Sequence, residues 1–526
     1  MIINSLKGLA NNLQVKNEQT DVSQCGIELE KIRAAILQNS AVKEAMVSVK
    51  ENKKILAYVV PKNKIPLKNT LLCERVSFWN EVFQHLYGEA IQTSEKIEFN
   101  IKGWNSSYTD KPLPEEEMKE WLHDTIENIK ALKPRRVLEI GCGTGLILVN
   151  IAPHCEEYWA TDLSSGALDC IEILKKKFSQ LNHVKLFHRA ADDFKDFEHQ
   201  QFDLVIINSV VQYFPSIDYF INVLKGSASV IDKKGYIFAG DLRNFALLNE
   251  FHSSVEAFKS SDDTTKFDLH AQIAKALRKE REFTIDPLFF TNINSFLPNI
   301  TYSQIKLKNS QYHNELTGFR YNVICYVGHD VSKIKEAPWV DWSKTYKTIS
   351  ALKEHLSGTK PQPEIIAIKS IPNARLSGEV SLMHWLGEEN SPYETLGNWR
   401  RRKKDHIADF CEPSDLEKLA ATYGYNILIC PSLDKPCAFD VIFMMKKITD
   451  TQFHCFRSDM ARLTKIEATA EQYANIPLQD NGDYQLTNAI YDTLKQTLPN
   501  HMIPSDFIIV DSLPTTSNIV GLTTEK

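Results

Sequence analysis

Between Arg136 and about residue 240, apolar residues fall in five short runs: RVLEI, EYWATD, VKLFHRA, FDLVIINSV and GYIFAGD. Helical segments separate them. Short apolar runs alternating with helices predict βαβ units around a parallel sheet. Two later runs, ITYSQIKLK and RYNVICYVG, predict two further strands. Between Asp241 and these runs lies a long helical stretch, about Ala246 to Glu282, placed to cover a site at the sheet's edge. Upstream, FWNEVFQHLYGEA and PEEEMKEWLHDTIENIKAL read as helices. The second crowds acids into its first turn, as the helix dipole favours, and Pro134 ends it. The first 65 residues or so predict helix, strand, strand. Leu29, Ile32, Ala35 and Ile36 form a helical stripe, and AMVSVK and KILAYVVP alternate as strands around a turn at Glu51–Lys53. Beyond about 330 the pattern is mixed α/β, and the tail returns to helix (NAIYDTLKQTL) and strand (FIIVDSL).

A chain of 526 residues exceeds what one hydrophobic core serves, so several lobes are expected. The hydrophobic fraction of 43% and charged fraction of 24% are those of a globular protein. A net charge of −6 argues against nucleic acid as a partner, which needs a concentrated basic surface. The one dense basic run, Arg400 to Lys404, is read as a solvated helix face or local docking patch. Ten cysteines without a CxxC pair give no reason to expect a metal site. No apolar run reaches the roughly 18 residues of a membrane helix. The N-terminus MIINSLKGLANN lacks the pattern of a signal peptide. The expected setting is cytoplasmic, without a membrane.

The first apolar run leads into Glu139-Ile140-Gly141-Cys142-Gly143-Thr144-Gly145. Glycines there let the backbone turn sharply and approach a ligand. A dinucleotide loop wants GxGxxG, but here the third glycine falls one place early and Leu146 occupies the expected slot. Glu139 would repel a phosphate and suits a cation. S-adenosylmethionine, with an ammonium, a sulfonium and no phosphate, fits this loop. NAD is the rival ligand. Asp162 ends the second run 17 residues after Gly145, where an acid binds ribose hydroxyls, with Leu163 beside it. Ala191 and Asp192 end the third, at the place for an adenine-edge contact. Asn208 and Ser209 end the fourth. Trp104 and Tyr108 precede the first run and are candidates to close over the sulfonium, which aromatic faces attract.

These segments resemble a family in detail. GWNSSYTDKPLPEEE, VLEIGCGTGLIL, INSVVQYFPS, FAGDLRNFALLNEFH, IDPLFF, NELTGFRYNVI and IPNARL look like the N-methyltransferase domains of nonribosomal peptide synthetases, over roughly residues 75 to 450. The two ends resemble the start and the end of the small C-terminal subdomain of an adenylation domain. The resemblance implies a class I methyltransferase-like (Rossmann-like) α/β fold, mostly parallel with helices on both faces, inserted in a small α+β adenylation subdomain. Residues 1–66 and 456–526 would be the two parts of the host. Residues 67–135 would be a helical lid, 136–330 the methyltransferase core and 331–455 an accessory α/β region.

The resemblance further implies S-adenosylmethionine as cofactor, with S-adenosylhomocysteine as product. It implies N-methylation of an aminoacyl group tethered to the phosphopantetheine arm of a carrier protein, with an adenylation core as neighbour. Methylation of oxygen or carbon, or a silent docking lobe, are the alternatives. The host departs from its family: Thr516-Ser517-Asn518-Ile519-Val520 stands where a lysine-bearing TPNGK-like segment is expected, so adenylation by this chain is not expected. The candidates to orient the acceptor follow the fourth and fifth strands: Asn208, Gln212, Tyr213, Asp241 and Arg243. Glu315 and Arg320 precede a late strand and are further candidates. His252, alone on a helix, reads more readily as structural than as a base.

Overall fold

The computed structural model describes residues 22–49, 55–62, 97–197, 201–330, 334–335, 338–359, 361–388, 394–402, 410–446, 452–453, 469–477, 479–499, 502–504 and 506–509. The chain divides into two units: Met1–Thr70 with Leu478–Lys526, and Leu71–Pro477.

In the smaller unit, helix α1 (Val22–Leu37) turns Ile32 and Ile36 against strands β1 (Val42–Val49) and β2 (Ile55–Pro61), which pair antiparallel. Helix Gln479–Thr497 brings Leu486, Ile490 and Leu494 into the same core, one face at a spacing of four. Strand Asp506–Ile509 then lies parallel to β2. Both ends of the sequence therefore build one sheet and one core. The turn at Glu51–Lys53 and the segment Thr516–Val520 lie outside the described residues.

In the larger unit, the seven predicted runs form seven strands: β3 (Arg136–Ile140), β4 (Glu157–Asp162), β5 (Val184–His188), β6 (Phe202–Asn208), β7 (Ile231–Arg243), β8 (Ile300–Leu307) and β9 (Arg320–Val327). Their order is β5-β4-β3-β6-β7-β9-β8. The first five are parallel, and β9 runs antiparallel to both of its neighbours. Helices α2 (Glu115–Lys130), α3 (Ser165–Lys177) and α4 (Ile217–Ser229) pack on the sheet. Alternate residues of β6 feed two cores, Val205 and Ile207 on one face and Leu204 and Ile206 on the other. This explains why FDLVIIN is continuously apolar: both faces of a central parallel strand are covered. From β3 the chain winds outward to β5, then returns to β6 on the other side. That reversal opens a crevice at the carboxyl ends of β3 and β6.

The expected helical stretch is two helices, α5 (Leu248–Lys259) and α6 (Lys266–Arg278). The segment FWNEVFQHLYGEA lies outside the described residues. A second sheet, β10 (Trp339–Asp341), β11 (Ile365–Pro372), β12 (Tyr425–Pro431) and β13 (Ala438–Met445), has the order β10-β11-β13-β12. Its Ala367, Leu428 and Ile442 join the core of the seven-stranded sheet. The smaller lobe was expected to resume at residue 456, yet Ala470, Tyr473 and Ala474 pack in that same core and the smaller unit resumes at Leu478. The basic run is not a purely solvated face either, since Arg400 donates to Asp262 and to the Ala257 and Ser260 carbonyls.

Candidate active site

The loop after β3 needs its glycines. Gly141 has φ +72°, and a Cβ there would lie 2.4 Å from Val210 Cγ2. Gly143 has φ +51°, and its N–H donates to Asp162 Oδ2 at 2.8 Å. The other oxygen of Asp162 accepts from Ser164 N–H at 2.8 Å. Asp162 thus braces the loop, and each of its oxygens keeps a further lone pair for ribose hydroxyls. Glu139 is 3% exposed and accepts from the Tyr158 hydroxyl at 2.7 Å. Burial pushes its carboxyl up to about 8.

These residues line a cleft of about 740 Å³ at the carboxyl ends of the strands, together with Trp104, Leu163 and Ala191. The donor set suits a cation. Two carboxyl groups, those of Glu139 and Asp162, face the glycine loop, and residues 139–147 contain no lysine or arginine to hold a phosphate. The sheet also differs from a dinucleotide fold, because β9 is antiparallel where that fold continues parallel.

Three expected cofactor contacts lie elsewhere. Gly145 (φ +89°) faces Ile171 and Leu174 behind the loop. Asp192 is exposed and accepts from the Tyr219 hydroxyl at 2.8 Å. Tyr108 does not close over the cleft. Its hydroxyl donates to Ser254 Oγ at 3.1 Å, and its ring meets Phe251 and Phe258 edge-on. It pins the segment before α2 onto α5. Trp104 does line the cleft, tilted against Trp121.

Asn208, Ser209, Gln212, Tyr213, Arg243, Glu315 and Arg320 all line the cleft's other half. Asp241 is the correction. It is 0% exposed and absent from the lining. The β7–β9 ladder skips between Ala239 and Leu242, and Asp241 sits at φ +62°, so the side chain turns beneath the wall. Oδ1 accepts from Trp121 Nε1 at 3.0 Å and Lys308 Nζ at 3.1 Å. Oδ2 accepts from the Ser209 hydroxyl at 2.8 Å and Arg320 at 2.6 Å. Burial alone would raise its pKa, but Arg320 and Lys308 outweigh burial and hold the carboxyl well below the usual range. Asp241 is therefore a fixed anion that positions Arg320, not a base.

Arg243 donates to Glu280 at 2.8 Å and Glu282 at 2.9 Å, and Glu280 lies 3.0 Å from His252 Nε2. Glu280, Glu282 and His252 also line the cleft. Glu315 is buried, and both its oxygens receive the Ser107 N–H, at 3.1 and 3.2 Å. Burial pushes the Tyr213 phenol well above its ordinary value, so it stays protonated. The carboxylates at 280 and 282 were not anticipated. They follow a helix rather than a strand, and the only signal was the charge-rich stretch RKERE.

Residues 138–237 match the family profile of a methyltransferase domain. Over 507 residues, 94% of this chain, the sequence is 34% identical to the chondramide synthase of Chondromyces crocatus. It is 29% identical over 523 residues, 95% of this chain, to a nonribosomal peptide synthetase of Aspergillus flavus. The chain spans 13% and 7% of the lengths of these two relatives. Among solved structures, the magnesium protoporphyrin IX methyltransferase of Synechocystis is 12% identical with a TM-score of 0.31, covering 48% of this chain and 98% of that one.

The strand order, the glycine loop and the family match define a class I methyltransferase domain that uses S-adenosylmethionine. Almost the whole chain is similar to segments of the chondramide synthase and of the nonribosomal peptide synthetase. When bound, the cofactor supplies an electrophilic methyl group on a sulfonium. Asp162 would hold its ribose, Glu139 its ammonium, and Leu163 and Ala191 would flank its adenine.

Two expectations follow for cofactor binding. Asp162→Ala is expected to weaken it by about 1.5–3 kcal/mol, the worth of a hydrogen bond to a charged group. Calorimetric titration checks this, and unchanged affinity would displace the ribose from Asp162. The second concerns Glu139, whose carboxyl is protonated below about 8 in the free protein. An ammonium binds the ionised form, so binding at neutral pH should release a proton, and affinity should rise with pH toward about 8. Above that the ligand's own α-amino group, with an ordinary pKa near 8, loses its charge. Titrations in buffers of different ionisation enthalpy should show the proton release in the wild type and none in Glu139→Gln.

Proposed function

We propose that the chain transfers a methyl group from S-adenosylmethionine to the amino nitrogen of an aminoacyl group held on the phosphopantetheine arm of a carrier protein. The observation that carries this reading is the chemistry of the cleft wall beyond the glycine loop. Glu280, Glu282 and Glu315 line it, and Arg243 and Arg320 beside them are already engaged by carboxylates. Carboxylates in this wall can receive an amine acceptor. Nitrogen methylation needs a nucleophile placed about 3 Å from the methyl and a route for its proton. Similarity to a chondramide synthase and a nonribosomal peptide synthetase supports a carrier-tethered substrate.

The smaller unit supports the rest of the reading. Its first and last segments close one sheet through β2 and Asp506–Ile509, which fits a host subdomain of an adenylation domain interrupted by the methyltransferase. Insertions of this kind succeed where the guest's two ends lie close together. Val520 in place of a lysine speaks against adenylation by this lobe, whose partner would be a separate adenylation core. No helix among the described residues is long and apolar enough to cross a membrane, and a cytoplasmic setting is part of the proposal.

A carbon acceptor is the second reading, favoured by the presence of His252 in the cleft lining, since an acidic carbon needs a strong base. The test of the main reading uses methyl-labelled cofactor with aminoacyl-loaded carriers and with the matching free amino acids. Label retained on the carrier supports it. Label on free amino acids alone would overturn the tethered substrate.

A further inference from the structure

One arrangement in the cleft is not used in holding the cofactor. His252, on α5, is half-buried in the lining, and it is the one histidine among the described residues that lines the cleft. Its Nε2 lies 3.0 Å from a Glu280 oxygen. Glu280 also takes Arg243 at 2.8 Å and the Glu282 N–H at 2.8 Å, and its side chain is 9% exposed. Burial alone would raise the Glu280 pKa, but Arg243 and the bonds from His252 and the Glu282 N–H outweigh burial and hold the carboxyl well below the usual range. Glu280 is therefore an anion that only accepts. The shared hydrogen must sit on Nε2, so in the neutral ring Nδ1 keeps the lone pair. An acid holding one ring nitrogen while the other takes a proton is the logic of hydrolase triads.

Neighbouring carboxylates are already engaged, Glu282 by Arg243 at 2.9 Å. Asp241 is saturated by four donors beneath the surface. Both oxygens of Glu315 are turned to one backbone N–H.

We infer that His252 is the base that removes the acceptor's proton, with Glu280 as its positioning residue and Arg243 fixing Glu280. The identity of the proton donor rests on the proposed amine acceptor, whereas the geometry does not. In the step, the nitrogen lone pair forms the bond to the methyl carbon while the carbon–sulfur bond breaks and its electron pair stays on sulfur. The surplus proton on nitrogen passes to His252 Nδ1. The imidazolium so formed is held against the Glu280 carboxylate and returns its proton to water at the rim, where the Glu282 side chain is 32% exposed.

The test uses the full chain. With an aminoacyl-loaded carrier and saturating cofactor, His252→Asn is expected to lower single-turnover methylation by at least about 100-fold, the lower end for a general base. Cofactor affinity by calorimetry should not change, and added imidazole should restore part of the rate. Glu280→Gln should lower the rate less and gain nothing from imidazole. Independently of any acceptor, nuclear magnetic resonance of the cofactor-bound chain carrying isotope-labelled histidine should show the His252 proton on Nε2. His252→Asn retaining the wild-type rate, or a proton found on Nδ1, would overturn the assignment. If the wild type methylates no loaded carrier, the amine reading fails, and the tautomer alone then decides the place of His252.

Discussion

Asp241→Ala is expected to lower the stability of the larger unit by about 3–5 kcal/mol, the cost of breaking a buried ion pair by removing one partner. The reason is what remains behind. Lys308 is 1% exposed at its side chain, and its ammonium has Asp241 as its ion-pair partner. Arg320 loses the carboxylate that fixes it at 2.6 Å, and Trp121 and Ser209 lose their acceptors. Two buried cations that lose their nearest counter-charge, with only Glu282 and Glu315 left near Arg320 and Asp124 near Lys308, cost more than the missing hydrogen bonds alone. Because the depressed carboxyl contributes stability above its unfolded pKa, that contribution is present at neutral pH and lost on acidification. Denaturant unfolding of wild type and variant at neutral pH measures the difference directly. Asp241→Asn is the informative companion, keeping shape and two hydrogen bonds while removing charge. A loss below about 1 kcal/mol for the alanine variant would mean that Asp241 does not anchor the wall.

Gly143→Val is expected to weaken cofactor binding severely while leaving the fold intact. Residue 143 lies in the cleft lining at φ +51°, a conformation that costs a β-branched residue roughly 1–2 kcal/mol. The added side chain also enters the cleft, and overpacking costs typically about 1–3 kcal/mol more. If both fall on the bound state, the combined cost of about 2–5 kcal/mol lowers affinity by roughly 30- to 4,000-fold, since every 1.4 kcal/mol is about tenfold. The Gly143 N–H bond to Asp162 would be displaced with them. Calorimetric titration is the measurement, with the circular dichroism spectrum as the check on folding. Unchanged affinity would remove the glycine loop from the cofactor site.

The alternation of apolar runs was sufficient for the sheet, because the central parallel strands are covered on both faces and so read as continuous apolar stretches, while β5 at the edge is partly exposed. The glycine loop, Glu139 and Asp162 were legible for a related reason: ligands in open α/β sheets sit at strand ends, and strand ends can be counted from sequence. The same rule misled at Asp241. Its position at a strand end is right, but a bulge and a positive φ turn the carboxylate under the wall. Asp192 lies four residues past the end of β5 at His188 and faces solvent, bonded by Tyr219. Nothing in the local pattern distinguishes inward from outward at either place.

The acceptor half was less legible because helices and loops supply it. Glu280 and Glu282 stand 37 and 39 residues from the Arg243 they engage. His252, on a helix, gave no strand-end signal, and only the packing of α5 over the sheet brings it to the cleft. Tyr108 looked like a cofactor lid from its position before β3, but its ring finds Phe251 and Phe258 instead. The fold came from periodicity, while the acceptor half came from long-range contacts that periodicity does not encode.

The most direct measurement is intact-protein mass spectrometry of an aminoacyl-loaded carrier incubated with this chain and S-adenosylmethionine, followed by fragmentation of the released aminoacyl group. The account predicts a gain of one methyl, located on the amino nitrogen. A methyl on carbon or oxygen, or no gain across a panel of loaded amino acids with cofactor binding intact, would contradict it.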